Sequence, residues 1–234
     1  MPPDLLLLPG LLNDDTVWRH QRRGLADCAG IHVAAYGDCD NIGEIAAQVL
    51  AGAPETFLLA GFSMGGYVAM EMLAREPERI KGLALVATSA RADTVEQRVV
   101  RQQVIDAVQR GKFDKVVAAT SELALHGTGV AVDAARAQMV EMARAIGPER
   151  FSLHMRAVMN RRDLRMLLPS HQEPGLVVMG ERDRVMSNDH SRELAVNLPR
   201  VEELVVAECG HMVPLQAAES LSLAMRRWLE SASM

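Results

Sequence analysis

Short runs of consecutive apolar residues, separated by amphipathic stretches, constrain the fold of this chain more than any other feature. Residues 5–8 are four leucines, residues 57–60 read Phe-Leu-Leu-Ala, and residues 176–179 read Leu-Val-Val-Met. A strand with one face in water alternates apolar and polar side chains. A run that is apolar at every position is buried on both faces, as in a parallel sheet covered by helices. Strands are predicted over 5–8, 31–35, 56–60, 82–87, 175–179 and 203–206. The intervening stretches have helical spacing. Ile42, Ile45, Ala46 and Val49 mark one helix over 41–50, and Val68, Ala69, Met72 and Leu73 mark another over 65–75 that stops near Pro77. Helices over 188–197 and 217–228 complete the pattern. Strand and helix alternate at both ends, which predicts an α/β fold with a doubly wound, mostly parallel sheet of about six strands and right-handed crossovers.

The middle of the chain differs. No strand pattern occurs from 91 to 169. Amphipathic segments are predicted over 95–110, 112–125, 132–146 and 149–159, with Val99, Val100, Val104, Ile105 and Val108 recurring at helical intervals. The expected organisation is one core domain made of 1–90 and 170–234, interrupted by a helical insertion over 91–169. Such an insertion either thickens the core or forms a lid. Its position between the chemically suggestive residues described below favours a lid.

Composition excludes several classes. The chain has 234 residues, enough for one α/β domain with a substantial core. The net charge of -5 is dispersed, and no basic patch suggests nucleic acid. Cys28, Cys39 and Cys209 form no C-x-x-C pair, so neither a zinc knuckle nor a disulfide framework is implied, and a reducing compartment fits. The leucine run follows Asp4 without a basic segment and is broken by Pro9-Gly10, unlike a signal peptide. No stretch is long and apolar enough to span a bilayer. A cytoplasmic protein is expected.

The sharpest motif is Gly61-Phe62-Ser63-Met64-Gly65-Gly66, which follows a predicted strand and opens a predicted helix. A serine nucleophile presented on a tight strand-to-helix turn needs this context. Residues two before and two after the serine approach each other, so both must lack a side chain, as Gly61 and Gly65 do. The helix N-terminus then offers unpaired N–H groups and a favourable dipole to developing negative charge. An inert serine in a structural glycine turn is the competing reading.

An alcohol is a poor nucleophile at neutral pH and needs a base. Seven histidines are available. His211, in Glu208-Cys209-Gly210-His211-Met212-Val213-Pro214, follows the last predicted strand, at the sheet edge where Ser63 also lies. His20 and His32 precede the serine, His126, His154 and His171 fall in or near the insertion, and His190 starts a helix. A carboxylate must orient the imidazole and stabilise its charged form. Asp183, in Gly180-Glu181-Arg182-Asp183-Arg184-Val185, follows the strand over 175–179. Glu181 and Asp189 compete with it, and a surface ion pair with Arg182 or Arg184 is the alternative role for Asp183.

Together these segments resemble the α/β-hydrolase superfamily, over nearly the whole chain. G-F-S-M-G-G is similar to the nucleophile motif of its esterases, lactonases, perhydrolases and meta-cleavage-product hydrolases. G-E-R-D-R-V resembles the segment carrying the family's acid, and C-G-H-M-V-P-L its catalytic histidine loop. The resemblance implies a triad of Ser63, Asp183 and His211. The family usually has His-Gly after its first parallel strand, followed by a residue whose N–H enters the oxyanion hole. Here Leu8-Pro9-Gly10-Leu11-Leu12 occupies that place, so Pro9 replaces the histidine and the packing of the loop is in question. The implied donors are the backbone N–H of Leu11, with Leu12 the alternative, and that of Met64. Trp18 matches another family feature and is read as packing. The family's antiparallel hairpin before the first parallel strand is not expected.

The resemblance implies acyl transfer on a small or medium carboxylic ester through an acyl-serine, with no metal or organic cofactor. Lactones, thioesters, a C–C substrate and menaquinone-pathway synthase-like elimination use the same triad and stay open. So does a receptor of the same fold without turnover. Methionines of the insertion (Met139, Met142, Met155, Met159 and Met166) would favour an adaptable apolar group if they face the cleft. Arg144, Arg156, Arg161 and Arg162 are candidates for a substrate carboxylate.

Overall fold

A computed structural model describes residues 2–232 of the chain. Six strands, β1 (Asp4–Leu8), β2 (Gly30–Val33), β3 (Phe57–Phe62), β4 (Ile80–Val86), β5 (Gly175–Gly180) and β6 (Val201–Val206), form one sheet in the order β2-β1-β3-β4-β5-β6. Every neighbouring pair is parallel, as the consecutive apolar runs predict. The strand ends differ from the expected ranges by at most two residues, because apolar runs do not encode where hydrogen bonding stops.

The helices are α1 (Arg19–Gly24), α2 (Ile42–Gly52), α3 (Met64–Arg75), α4 (Val95–Gln109), α5 (Phe113–Ala124), α6 (Val130–Met159), α7 (Asn188–Asn197), α8 (Val213–Gln216) and α9 (Ala218–Ala232). Strand pleating sends alternate residues to opposite faces. Leu6 and Leu8 of β1 join Leu59, Leu83 and Val177 in a core with Ile45 of α2, Val68 of α3 and Leu194 of α7. Leu5 and Leu7 join Leu58, Ala84 and Val178 in a second core with Leu221 and Trp228 of α9. Both faces are thus covered, and the doubly wound arrangement follows.

The chain order places a site. From β1 the chain runs outward to β2, then crosses back to β3 on the other side of β1. Connections leave β1 and β3 in opposite directions, so a crevice opens beyond their carboxyl ends. Ligands of open α/β sheets sit at such a switch point. The segments leaving these two ends are Pro9-Gly10-Leu11-Leu12 and Ser63-Met64.

Helices α4 to α6 lie between β4 and β5 and build a small third core from Ile105, Val108, Val117, Ala143, Phe151 and Met155, joined by Leu12. The two helices expected over 132–146 and 149–159 are both present within α6, separated at Gly147, where a φ of 78° and the following Pro148 interrupt regular geometry. This region is not packed as a separate body. Met139 and Met142 belong to one sheet core, and Ala157 and Val158 to the other. Among the described residues, no helix is long and apolar enough to cross a membrane.

Candidate active site

Ser63 caps α3 with φ 53° and ψ −116°, a conformation that side-chain-bearing residues rarely adopt. Its surroundings hold it there. The Ser63 N–H donates to the Val86 carbonyl at 2.9 Å, and its carbonyl accepts from Gly66 N–H at 2.9 Å and Thr88 Oγ1 at 2.8 Å. The flanking glycines are required by contact. A Cβ on Gly61 would lie 2.4 Å from the Gly65 carbonyl oxygen, and one on Gly65 would lie 2.2 Å from that of Leu8. Strain concentrated at one well-braced residue is a feature of functional sites.

His211 arrives from the loop after β6. Its backbone N–H donates to the carbonyl of Ala124, at the end of α5, at 2.8 Å. A Cβ on Gly210 would lie 2.6 Å from that same carbonyl oxygen, so this glycine lets the loop close on α5. The imidazole Nε2 is 3.0 Å from Ser63 Oγ, and Nδ1 is 2.7 Å from Asp183 Oδ2. The His211 and Asp183 side chains are 6% and 1% exposed. A carboxylate only accepts, so Nδ1 carries the proton and the Nε2 lone pair faces the serine hydroxyl.

Asp183 is fixed by its own loop. Its Oδ1 accepts from the N–H groups of Val185 and Met186, both at 2.8 Å, leaving Oδ2 for His211. The competing acids lie elsewhere. Glu181 pairs with Arg182 at 3.6 Å, and Asp189 is exposed and pairs with Arg192 at 3.4 Å. The alternative ion pair of Asp183 with Arg182 or Arg184 does not form. Arg182 binds Glu208, and Arg184 donates to the carbonyls of Glu122 and Leu125.

The remaining histidines lie elsewhere. His32 pairs with Asp4, His126 with Glu208, and His154 bonds the Gly37 carbonyl. His190 contacts the Met186 sulfur, and His20 lies beside Arg19. Buried His171 has an Nε2 without a hydrogen-bond partner among the described residues.

Leu11 and Leu12 form a turn closed by Asn13 N–H donating to the Gly10 carbonyl at 3.2 Å, with Leu12 at φ 62°. A trans peptide points its N–H opposite its C=O, so this bond also aims the Leu11 N–H. Met64 is the first residue of α3, where a helix N–H has no intrahelical acceptor. Leu11, Leu12, Ser63, Met64 and His211 all line one cavity of about 340 Å³.

That cavity is mostly apolar, walled by Val104, Val116, Met139, Phe151, Met155 and Val158 among others. Of the five methionines singled out in sequence, Met139 and Met155 reach it. Met142 is buried in a sheet core, and Met166 is 91% exposed. None of Arg144, Arg156, Arg161 and Arg162 lines it. Arg162 binds Glu71 with two bonds of 2.8 and 3.0 Å, and Arg161 is buried against Asp93 and the Tyr67 ring. Arg101, outside those four candidates, does line it. Its Nε and Nη2 bind Asp93, while among the described residues Nη1 has only the Met155 sulfur at 3.6 Å. A signal existed: Arg101 stands on the same helical stripe as Ile105 and Val108, and a charge on an apolar stripe is informative. Asn13 and Tyr67, also in the lining, carried no comparable signal.

The model of the alpha/beta hydrolase fold family matches residues 35–218. The chain belongs to that family. Curated proteins also match it across most of its length. A pimeloyl-[acyl-carrier protein] methyl ester esterase of Vibrio parahaemolyticus is 25% identical over 224 residues, covering 89% of this chain and 87% of that protein. The dihydrolipoyllysine-residue acetyltransferase component of an acetoin cleaving system from Pseudomonas putida is 28% identical over 176 residues. This match covers 73% of the chain but spans only 45% of that protein. Among solved structures, a thermophilic esterase from Thermogutta terrifontis superposes with a TM-score of 0.89 at 23% identity, covering 100% of this chain and 92% of the other. The last similarity concerns the fold.

Proposed function

We propose that this alpha/beta hydrolase is a serine hydrolase of small or medium carboxylic esters, acting through Ser63, His211 and Asp183. The observation that carries the proposal is the continuous hydrogen-bonded relay from Asp183 Oδ2 through His211 to Ser63 Oγ, opening onto a mostly apolar cavity. The relatives named as ester hydrolases favour the same reading.

In the first step, Ser63 Oγ attacks the ester carbonyl while His211 Nε2 takes its proton. Asp183 stabilises the resulting imidazolium. The carbonyl oxygen becomes an oxyanion held by the N–H groups of Leu11 and Met64, each donor contributing about 3 kcal/mol to the transition state. His211 returns the proton to the departing alkoxide. The alcohol leaves, and the acyl group stays on Ser63. Water, deprotonated by His211, then attacks the acyl-serine; the Ser63 Oγ–acyl bond breaks, His211 returns the proton to Oγ, and the acid is released. The helices within 91–169 act as a lid: their apolar side chains wall the acyl pocket, and the Ala124 carbonyl braces the His211 loop.

A fluorophosphonate probe should label the wild-type protein at Ser63, and p-nitrophenyl esters of graded chain length should be hydrolysed. Ser63→Ala should abolish both. Labelling elsewhere, or undiminished turnover in that variant, overturns the proposal.

A further inference from the structure

The replacement of the family's histidine by Pro9 raises a physical question: what holds the loop that aims the Leu11 N–H? Met64 N–H is fixed by the first turn of α3. Leu11 lies in an irregular turn and depends on how the carbonyls before it are held. The Gly10 carbonyl is held by Asn13 N–H. The Pro9 carbonyl is held by Tyr36, whose hydroxyl donates to it at 3.0 Å. Among the described residues no other donor reaches that oxygen. The carbonyl is also pressed against α3, since a Cβ on Gly65 would lie 2.7 Å from the Pro9 oxygen.

Tyr36 is itself braced by a helix between β4 and β5. The ring of His154 in α6 meets the Tyr36 ring edge-on, with centroids 5.9 Å apart at 81°. His154 is 2% exposed, and its Nε2 lies 3.0 Å from the Gly37 carbonyl, which can only accept, so Nε2–H is the donor. Burial keeps the Tyr36 hydroxyl protonated, as a donor must be. One chain of contacts thus runs from α6 through His154 and Tyr36 to Pro9 and the turn bearing Leu11.

We propose that Tyr36 is a positioning residue for the oxyanion loop, locking the Pro9 carbonyl so that Leu11 N–H stays in register with Met64 N–H. The inference rests on the hydrolase reading of Ser63. Tyr36 does not line the cavity and touches no reacting atom. Its loss therefore weakens stabilisation of the oxyanion, which exists only in the transition state, and leaves ground-state binding in place.

The test compares wild type with Tyr36→Phe on a p-nitrophenyl ester and on a trifluoromethyl ketone, which forms a tetrahedral oxyanion on Ser63. In Tyr36→Phe kcat should fall roughly tenfold to a hundredfold at nearly constant KM, the size expected when a catalytic group is displaced rather than deleted. The inhibition constant of the ketone should rise by a similar factor, and a non-covalent alcohol inhibitor should bind as before. Unchanged kcat overturns the proposal. So does a loss of kcat without weaker ketone binding, or a loss confined to KM. Tyr36→Leu, which also lacks the hydroxyl, supplies the same comparison should Tyr36→Phe not fold. Failure of the wild type to react with fluorophosphonate would instead sink the hydrolase reading.

Discussion

At the scale of single residues, the arrangement separates three acids that look similar in sequence. Glu181, Asp183 and Asp189 lie within nine positions of one another. Only Asp183 has its side chain buried, and its two oxygens are divided between its own loop amides and His211. An amide in place of that carboxylate would present a donor or a weaker acceptor to Nδ1 and stabilise the wrong tautomer. Asp183→Asn should therefore lower kcat by roughly 10⁴-fold with an unchanged circular dichroism spectrum. Glu181→Gln should keep activity within about twofold, because its partners are exposed and screened. Steady-state kinetics on one ester checks both. A small loss in Asp183→Asn would move the role to another acid.

At the scale of elements, the decisive unit is the junction of β3 and α3. Its sequence signature was legible because the constraint is local: a strand turning straight into a helix leaves no room for side chains two residues either side of Ser63. The crowding partner of Gly65 was not legible, since it is the Leu8 carbonyl of β1, more than fifty residues away. Gly65→Ala should thus disturb β1 and the Leu11 turn as well as Ser63. A methyl group 2.2 Å from a carbonyl oxygen cannot be accommodated in place, so we expect a lower Tm and loss of ester hydrolysis. Thermal unfolding and activity at a temperature below the transition measure the two effects. Full activity with unchanged Tm would contradict this packing. The insertion helices, with their separation at Gly147-Pro148, were recognised from local spacing and turn residues, but their share in both sheet cores depends on contacts that periodicity does not report.

At the scale of the whole molecule, burial sets a pH dependence. His154 and His171 are held below the ordinary histidine range chiefly by desolvation, and so is His190. The unfolded chain, with histidines near 6.5, binds more protons than the folded one between that value and the depressed folded values. Stability should therefore be full above about pH 7 and decline as pH falls through 6.5 toward those lower values. The acids Glu193 and Asp163, lowered mainly by bonds to arginine, act in a more acidic window. Tm measured from pH 8 to pH 5 should fall, and His171→Phe should flatten the decline, since among the described residues its Nε2 has no hydrogen bond to lose. A Tm independent of pH over that range would refute it. The same scale divides what could be read from the chain. By itself the sequence determined the parallel α/β sheet, because apolar runs leave no exposed face, and it nominated Ser63, Asp183 and His211 because the elbow and strand-end loops have local signatures. Tertiary structure decided what surrounds them. It brought Arg101 rather than Arg161 or Arg162 to the cavity, withdrew Met142 and Met166 from it, and set Tyr36 behind Pro9. Those outcomes depend on which helix face packs against which strand end, a property of elements distant in sequence that no local pattern encodes.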